Sequence, residues 1–173
     1  MKKIFNLAMA LAIVMLAVAT ISCSKDKEKS NYYIYDGKHF DVAWAGYYYN
    51  SEYSGYCFGI SPTVPAGQLP NESNYFEVDC PEPLLGQEAD LSVFYNKSWP
   101  LLGYFRYNST LYYFEEDNRG HISGSNNRVK ITKNSENNFT IEFSMTIGGK
   151  KLEGKYSGNF QKKADYFDIG LPR

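Results

Sequence analysis

The sequence predicts an all-β protein, an antiparallel β-sandwich of about 8–10 short strands. The segment NFTIEFSMTI, residues 138–147, alternates apolar and polar side chains along its whole length, which is the period of a strand. Turn signals recur roughly every 8 to 12 residues, and beyond residue 30 no window longer than about ten residues shows a helical period. A small lipocalin-like β-barrel is the alternative, because barrels use the same short strands.

The first 22 residues have the layout of a secretory signal peptide. Lys2 and Lys3 form a basic start, and residues 4–18 are an apolar run without charge. The uncharged stretch also reaches the roughly 20 residues that a membrane-spanning helix needs. Cys23 favours the signal peptide, since Ser22-Cys23 resembles the lipobox of bacterial lipoproteins, although Thr20 stands where that motif usually has leucine. The resemblance implies that Cys23 is acylated and anchors the protein to a membrane.

Residues 23–30 are expected to be the lipidated cysteine and a flexible charged tether, because SKDKEKS offers no apolar side chain to bury. A charged run directly after the lipidated cysteine resembles the export signal of surface lipoproteins of Bacteroidota. That resemblance implies an outer-membrane protein displayed on the cell surface. A periplasm-facing anchor is the alternative, since the signal is usually acidic and lysines outnumber acids here.

Residues 31–173 have the size of a single domain. A chain of this length buries roughly 70% of its unfolded surface, so it needs no metal or disulfide to hold a core. Loss of Lys2 and Lys3 with the signal peptide changes the net charge from −1 to −3. No nucleic-acid partner is expected, because phosphate binding needs a basic surface. We expect a monomer.

The strands of this domain are predicted in order from turn signals and alternation. Asp36-Gly37 is typical of a type I′ turn that pairs the first two strands. Residues 127–160 are predicted to form a three-strand meander around a polar turn and the Gly148-Gly149 turn. The loop at 61–74 contains three prolines, and we expect it to cross between the sheets. The remaining strands are predicted near residues 54–60, 75–80, 90–95, 102–107 and 111–116.

Four segments together resemble a small uncharacterised lipoprotein domain of Bacteroidota. They are YDGKHFDVAWA, YCFGIS, NYFEVDCPEPLLGQEADLS and NNFTIEFSMTIGGKKLEGKYSGNF, and they lie within residues 31–160. The closing pattern, a strand, a glycine turn and LEGKYSG, is the most distinctive of them. The family has no assigned chemistry, so the resemblance implies no catalytic residue.

Cys57 and Cys80 remain after lipidation of Cys23, and an oxidising envelope would allow them to form a disulfide. Strand alternation argues against that pairing. Cys80 alternates with Phe76 and Val78, whereas Cys57 alternates against Phe58 and Ile60, so the two thiols are expected to face different layers. Two buried thiols are the alternative.

Catalytic and metal-binding patterns are sparse, so we expect no enzyme, no cofactor and no metal. The sequence contains no G-x-S-x-G, H-E-x-x-H or C-x-x-C motif. His39 and His121 are expected at exposed strand ends. Glu115 and Glu116 are adjacent, so in a strand they face opposite sides and cannot act as a pair of acids. Asp79 and Glu82 flank Cys80 and Pro81 without a base to act with in catalysis, so no role is expected for them.

Aromatic side chains are the most informative feature, with 16 Tyr, 11 Phe and 2 Trp in the chain. In GYYYN, Tyr47 and Tyr49 are expected on one face and Tyr48 on the other. Because a sandwich buries one face of each sheet, some rings should point outward and offer a flat binding surface. The alternative is that tyrosines line the sheet because they favour strands. The candidate ligand-binding residues are Tyr47, Tyr48, Tyr49, Trp99, Tyr112 and Tyr113.

These observations predict a lipid-anchored protein of the cell envelope that acts as a non-enzymatic binding module for a glycan or a protein. An alternative is a structural, accessory or immunity-type envelope protein that docks a protein partner through an edge strand. A small hydrolase is the third alternative. It requires two carboxylates at glycosidase distance in a cleft.

Overall fold

The computed structural model describes residues 31–52, 54–64, 74–91, 103–113 and 122–164. They form one 3₁₀ helix, Glu82–Leu84, and twelve strands. The strands are β1 Tyr32–Tyr35, β2 Lys38–Asp41, β3 Trp44–Asn50, β4 Gly55–Ser61, β5 Tyr75–Pro81, β6 Glu88–Asp90, β7 Gly103–Tyr107, β8 Thr110–Tyr113, β9 Arg128–Lys133, β10 Asn138–Ile147, β11 Lys150–Asn159 and β12 Gln161–Lys162. Within these ranges, no helix has the length and apolar character needed to span a bilayer.

The strands build two six-stranded sheets that pack face to face. The first sheet has the order β2-β1-β11-β10-β9-β6, and the second has the order β12-β3-β4-β5-β7-β8. Neighbours are antiparallel except β12, which runs parallel to β3. The predicted all-β sandwich is confirmed, and the two sheets do not close into a barrel. Twelve strands exceed the expected number because β6 and β12 have three and two residues, too few to show alternation.

Two glycine turns fix the register of the first sheet. Gly148 and Gly149 have φ angles of 58° and 74°, and they join β10 to β11. Asp36 and Gly37 have φ angles of 52° and 74° between β1 and β2. Positive φ at both central residues defines the type I′ turn, whose twist matches that of the flanking strands. The predicted first hairpin and the predicted meander at the end of the domain are both confirmed.

Aromatic rings from both sheets fill the space between the sheets. Phe76 of β5 stacks on Phe143 of β10 with ring centroids 4.0 Å apart. Phe58 of β4 meets Phe139 of β10 edge to face at 4.9 Å. All four side chains are almost completely buried. Such pairs contribute packing energy beyond the area they bury, so they set the separation and alignment of the layers.

One prediction for the middle of the chain is wrong, and another lies mostly outside the described residues. The proline loop was expected to cross between sheets, but β4 and β5, which it joins, are antiparallel neighbours in the second sheet. Of the strand expected near 90–95, the structure describes residues 90 and 91 alone, and Asp90 is the last residue of β6, Glu88–Asp90, which pairs with β9 at the edge of the first sheet. The length of a loop does not reveal which sheet the next strand joins.

Candidate functional site

Three predictions fall outside the described residues. They are the signal peptide at 1–22, the lipidated Cys23 with the tether at 23–30, and Trp99 as a ligand-binding residue. The same holds for His121 and for the acidic residues at 115–117.

The three tyrosines of β3 divide between the faces of the second sheet as the alternation predicts. Tyr47 is 3% exposed and belongs to the main core between the sheets. Tyr49, on the same side, lies at the end of the strand and is 37% exposed. Tyr48 points to the outer face, where it is half-buried. The three candidates therefore do not form one surface, and Tyr47 is not an exposed ring.

Tyr47 and Tyr49 meet in a cavity of about 180 Å³ at the edge of the sandwich, which we call the tyrosine pocket. Strands of both sheets contribute to it. The ring of Tyr49 packs edge to face on Tyr56, with centroids 4.9 Å apart. The pocket is lined by Tyr47, Tyr49, Tyr56, Lys133, Glu136 and Lys162.

Hydrogen bonds hold the tyrosine pocket in shape. The Tyr47 hydroxyl donates to Oδ1 of Asn137 at 2.7 Å, and Lys133 Nζ donates to the Tyr56 hydroxyl at 3.0 Å. The hydrogen bond to Tyr56 raises the pKa of Lys133, so the amine remains charged. Burial, followed by the charge of Glu136, raises the pKa of Tyr47 and keeps its hydroxyl a donor. The pocket thus offers ring faces beside a fixed cation and neutral hydroxyls.

The outer face of the second sheet carries another aromatic group, which we call the outer cluster. It consists of Trp44, Cys57, Tyr75 and Tyr104, all at most 9% exposed, and half-buried Tyr48, Leu111 and Tyr113 pack against it. The cluster is separate from the main core. In a two-layer sandwich an outer face is normally solvated. Here that face is buried.

Two carboxylates and a thiol lie together within this outer face. Cys57 of β4 is directly opposite Asp79 of β5, and Glu77 is two residues from Asp79 on the same side. Ligand atoms of the three side chains lie within 4.8 Å of one another. Burial, followed by the charges of Glu77 and Asp79, raises the pKa of the Cys57 thiol well above its usual value. We call this group the carboxylate–thiol cluster.

A basic and an aromatic side chain border the carboxylate–thiol cluster. Arg106 of β7 is 5% exposed, and its guanidinium carbon lies 5.5 Å from the centroid of the Tyr75 ring. Tyr75 is the cross-strand partner of Arg106 and is 1% exposed. Burial raises the pKa of Tyr75, with a further contribution from the charge of Glu77. The Tyr75 phenol, the Arg106 guanidinium and the Glu77 carboxylate therefore share one buried environment.

Tyr112 and Tyr113 take opposite faces of β8, as the alternation predicts. Tyr112 packs against the main core, and Tyr113 packs against the outer cluster. Neither residue belongs to the tyrosine pocket. The structure thus separates the candidate residues into the pocket, with Tyr47 and Tyr49, and the outer face, with Tyr48 and Tyr113.

The two thiols of the domain are free and buried. Cys57 belongs to the outer cluster, and Cys80 belongs to the main core. Since the second sheet separates them, no disulfide can join them without rebuilding β4 or β5. The alternation of side chains along these strands indicated this separation.

A hollow of about 380 Å³ lies on the outer face of the first sheet. Four of the five charged side chains that line it form ion pairs: Lys155 Nζ lies 2.6 Å from Glu142 Oε1, and Arg128 lies 3.3 Å from Glu88. These side chains are each about half exposed. Exposed ion pairs of this kind are typical of a solvated β-surface.

Some residues of both sites were not predicted from the sequence. Lys133 and Tyr56 meet in the pocket across sheets, and no local pattern signals that contact. The sequence of β5 does contain a signal for the carboxylate–thiol cluster. YFEVDC places Tyr75, Glu77 and Asp79 on one face of β5, although it does not show that this face is buried.

No protein-family model matches this chain, and no curated protein or solved structure is significantly similar to it. The resemblance to Bacteroidota lipoproteins therefore depends on sequence patterns.

Proposed function

We propose that this protein is a lipid-anchored, non-enzymatic binding module of the bacterial cell envelope, and that its ligand is a glycan. The observation that carries the proposal is the tyrosine pocket, where an exposed ring lies beside charged and hydroxyl groups. Sugars present flat CH surfaces that pack on aromatic rings, and hydroxyl groups that accept and donate hydrogen bonds.

The size and chemistry of the pocket favour a single sugar unit. At about 180 Å³ the pocket is smaller than the roughly 300–1,000 Å³ of sites that enclose drug-sized ligands. One ring of a chain would stack on Tyr49 while the rest of the glycan remained in solvent. The Lys133 amine, held beside Tyr56, would donate to the hydroxyl or carboxylate oxygens of that sugar.

The lining supports binding over hydrolysis. Among the described residues that line the tyrosine pocket, Glu136 is the single carboxylate. Glycoside hydrolysis normally uses two carboxyl groups roughly 5 to 9 Å apart across the scissile bond. The carboxylates Glu77 and Asp79 lie on the outer face of the second sheet, away from this lining.

The glycan proposal is tested by titrating the full chain, purified in detergent, with host and dietary oligosaccharides in a calorimeter. Tyr49→Ala and Lys133→Ala are each expected to weaken binding at least about tenfold. Tyr32→Ala is the matched control, because Tyr32 is a half-buried tyrosine on the outer face of the first sheet. Absence of binding, or equal losses in all three variants, would contradict the proposal.

Membrane anchorage through Cys23 is the second part of the proposal, and the lipobox-like Ser22-Cys23 supports it. More than one acyl chain is normally attached to such a cysteine, and each buried CH₂ contributes about 0.8 kcal/mol to stable anchoring. Cys23→Ser is expected to abolish incorporation of labelled palmitate and to move the protein from the membrane fraction to the soluble fraction. Protease treatment of whole cells then distinguishes surface display from a periplasm-facing anchor.

Docking of a protein through an edge strand remains the alternative function. The edge strands of the first sheet are β2, which has four residues and carries Lys38, His39 and Asp41, and β6, which has three residues. Short, charged edges are typical of strands protected against pairing with another chain. The glycan proposal is therefore preferred. The test is whether the full chain captures an envelope protein, and whether a substitution in β2 that prevents strand pairing abolishes the capture. If both occur, docking becomes the preferred function.

A further inference from the structure

We propose that Cys57, Glu77 and Asp79 bind a divalent transition-metal ion of the zinc type. This site is separate from the tyrosine pocket, and it does not depend on the glycan proposal. The register of β4 and β5 places the Cys57 thiol directly across from the Asp79 carboxylate and diagonal to the Glu77 carboxylate.

The distances suit one ion. Zinc binds thiolate sulfur at about 2.3 Å and carboxylate oxygen at about 2.0–2.2 Å, so in a tetrahedral site two of its ligand atoms lie roughly 3.3–3.7 Å apart. The ligand atoms of Cys57, Glu77 and Asp79 all lie within 4.8 Å of one another. Displacements of up to about 1 Å at the ligand atoms, which side-chain rotation allows, would bring the three atoms around one tetrahedral ion. Thiolate and carboxylate are both common zinc ligands.

The strands provide a rigid frame for these ligands. The three side chains project from the middle of adjacent, hydrogen-bonded strands in a six-stranded sheet. Gly59 is directly opposite Glu77, and Gly46 is opposite Gly59. Neither glycine places a side chain beside Glu77. Sites on sheet strands hold ligand geometry more accurately than sites on loops.

Charge balance favours a divalent cation. Glu77 is 1% exposed and Arg106 is 5% exposed, so their charges are largely removed from water. Two carboxylates and one guanidinium carry a net charge of −1 when Cys57 is a neutral thiol. On metal binding the S–H bond breaks, a metal–sulfur bond forms and the proton leaves to solvent. The divalent ion and the new thiolate bring the group to neutrality, which is the less costly state in a buried environment.

The Tyr75 hydroxyl is an independent observation that points to a ligand. Tyr75 lies on the same face of β5, two residues before Glu77, and is 1% exposed. Tyr104 interacts with its hydroxyl, but within the described part of the chain no group meets that hydroxyl at normal hydrogen-bond geometry. Side chains two residues apart on a strand point to the same face, so Tyr75 and Glu77 are neighbours on the outer face. A water molecule in the fourth position of the metal would give the Tyr75 hydroxyl a partner.

The test uses the full chain in detergent, stripped with a chelator and titrated with Co²⁺ chloride. Cobalt bound to a thiolate gives a sulfur-to-metal charge-transfer band in the near ultraviolet. We expect one equivalent of Co²⁺ to produce the band and Zn²⁺ to abolish it by displacement. Cys80→Ala is the matched control, because it removes the buried cysteine on the other face of the same sheet. It should retain the band, whereas Cys57→Ala should lose it.

Isosteric variants keep the test decisive if Cys57→Ala does not fold. Asp79→Asn and Glu77→Gln preserve side-chain volume, and each is expected to weaken Co²⁺ binding at least about tenfold. Circular dichroism checks that each variant is folded. Absence of the band in the folded wild type, its persistence in Cys57→Ala, or unchanged affinity in both isosteric variants would overturn the proposal.

Discussion

The outer faces of the two sheets differ in chemistry. On the first sheet, the outward side chains of β10 are Thr140, Glu142, Ser144 and Thr146, which are half-buried and polar. On the second sheet, every residue of β4 is buried, and the outward side chains of β5 include Tyr75 and Glu77, each 1% exposed. Outward position in a sandwich therefore does not by itself imply contact with water. The buried outer face is also where Cys57, Glu77 and Asp79 lie together.

The largest expected difference between the faces concerns tyrosine. Tyr75→Ala should lower the free energy of unfolding by about 3–5 kcal/mol, because it removes a completely buried ring. Tyr32→Ala, at a half-buried outward position of the first sheet, should cost less than about 1 kcal/mol. Urea unfolding followed by circular dichroism measures both. Similar losses in the two variants would remove the distinction between the faces.

The next largest difference is expected when a methyl group is added to the outer face of the second sheet. A methyl group at Gly46 would lie 2.4 Å from the ring of Trp44, which is 7% exposed and donates a hydrogen bond to Gln161. Gly46→Ala is therefore expected to destabilise the protein by about 1–3 kcal/mol through overpacking. Ser144→Ala on the first sheet should change stability by less than about 0.5 kcal/mol. Thermal unfolding of both variants tests this, and a neutral Gly46→Ala would show that the outer face is loosely packed.

The inner face of the first sheet provides a reference for what burial does to a tyrosine. Burial raises the pKa of Tyr33, so its folded-state pKa lies above the unfolded value of about 10. Its contribution to stability is complete below pH 10 and is lost as pH rises through the folded-state pKa, at up to about 1.4 kcal/mol per pH unit. Tyr33→Phe should remove this part of the alkaline loss. Urea unfolding at pH 8 and pH 11 measures how much unfolding free energy the wild type and Tyr33→Phe each lose between the two pH values. An equal loss in both proteins would contradict the assignment.

The smallest effect is expected for an ion pair on the solvated face. Lys155 and Glu142 lie 2.6 Å apart, with each side chain 45% exposed. A double-mutant cycle with Lys155→Met and Glu142→Gln should give a coupling energy of about 0.2–1 kcal/mol that decreases with added salt. A larger coupling that resists salt would show that the outer face of the first sheet is also shielded from water.

Alternation along the strands predicted which residues share a face. It placed Tyr48 apart from Tyr47 and Tyr49, separated Cys57 from Cys80, and located the final meander. These results depend on local geometry, because successive side chains of a strand point to opposite sides.

Burial of an outer face and contacts between distant strands were not predicted. Asp79 was given no role because its partner, Cys57, lies 22 positions earlier in the chain and is brought beside it by strand pairing. Lys133 meets Tyr56 from the other sheet for a similar reason. Such sites depend on sheet order, which single-sequence patterns do not encode. The acylation of Cys23 stays a prediction.

The tyrosine pocket takes its lining from both layers of the sandwich. The chain itself passes from the first sheet to the second there, because β11 ends at Asn159, and Phe160 leads directly into β12. A molecule seated between Lys133 and Tyr49 would therefore resist shear of one layer across the other. Under pulling force in a single-molecule experiment, an occupied domain should rupture at a higher load than an empty one.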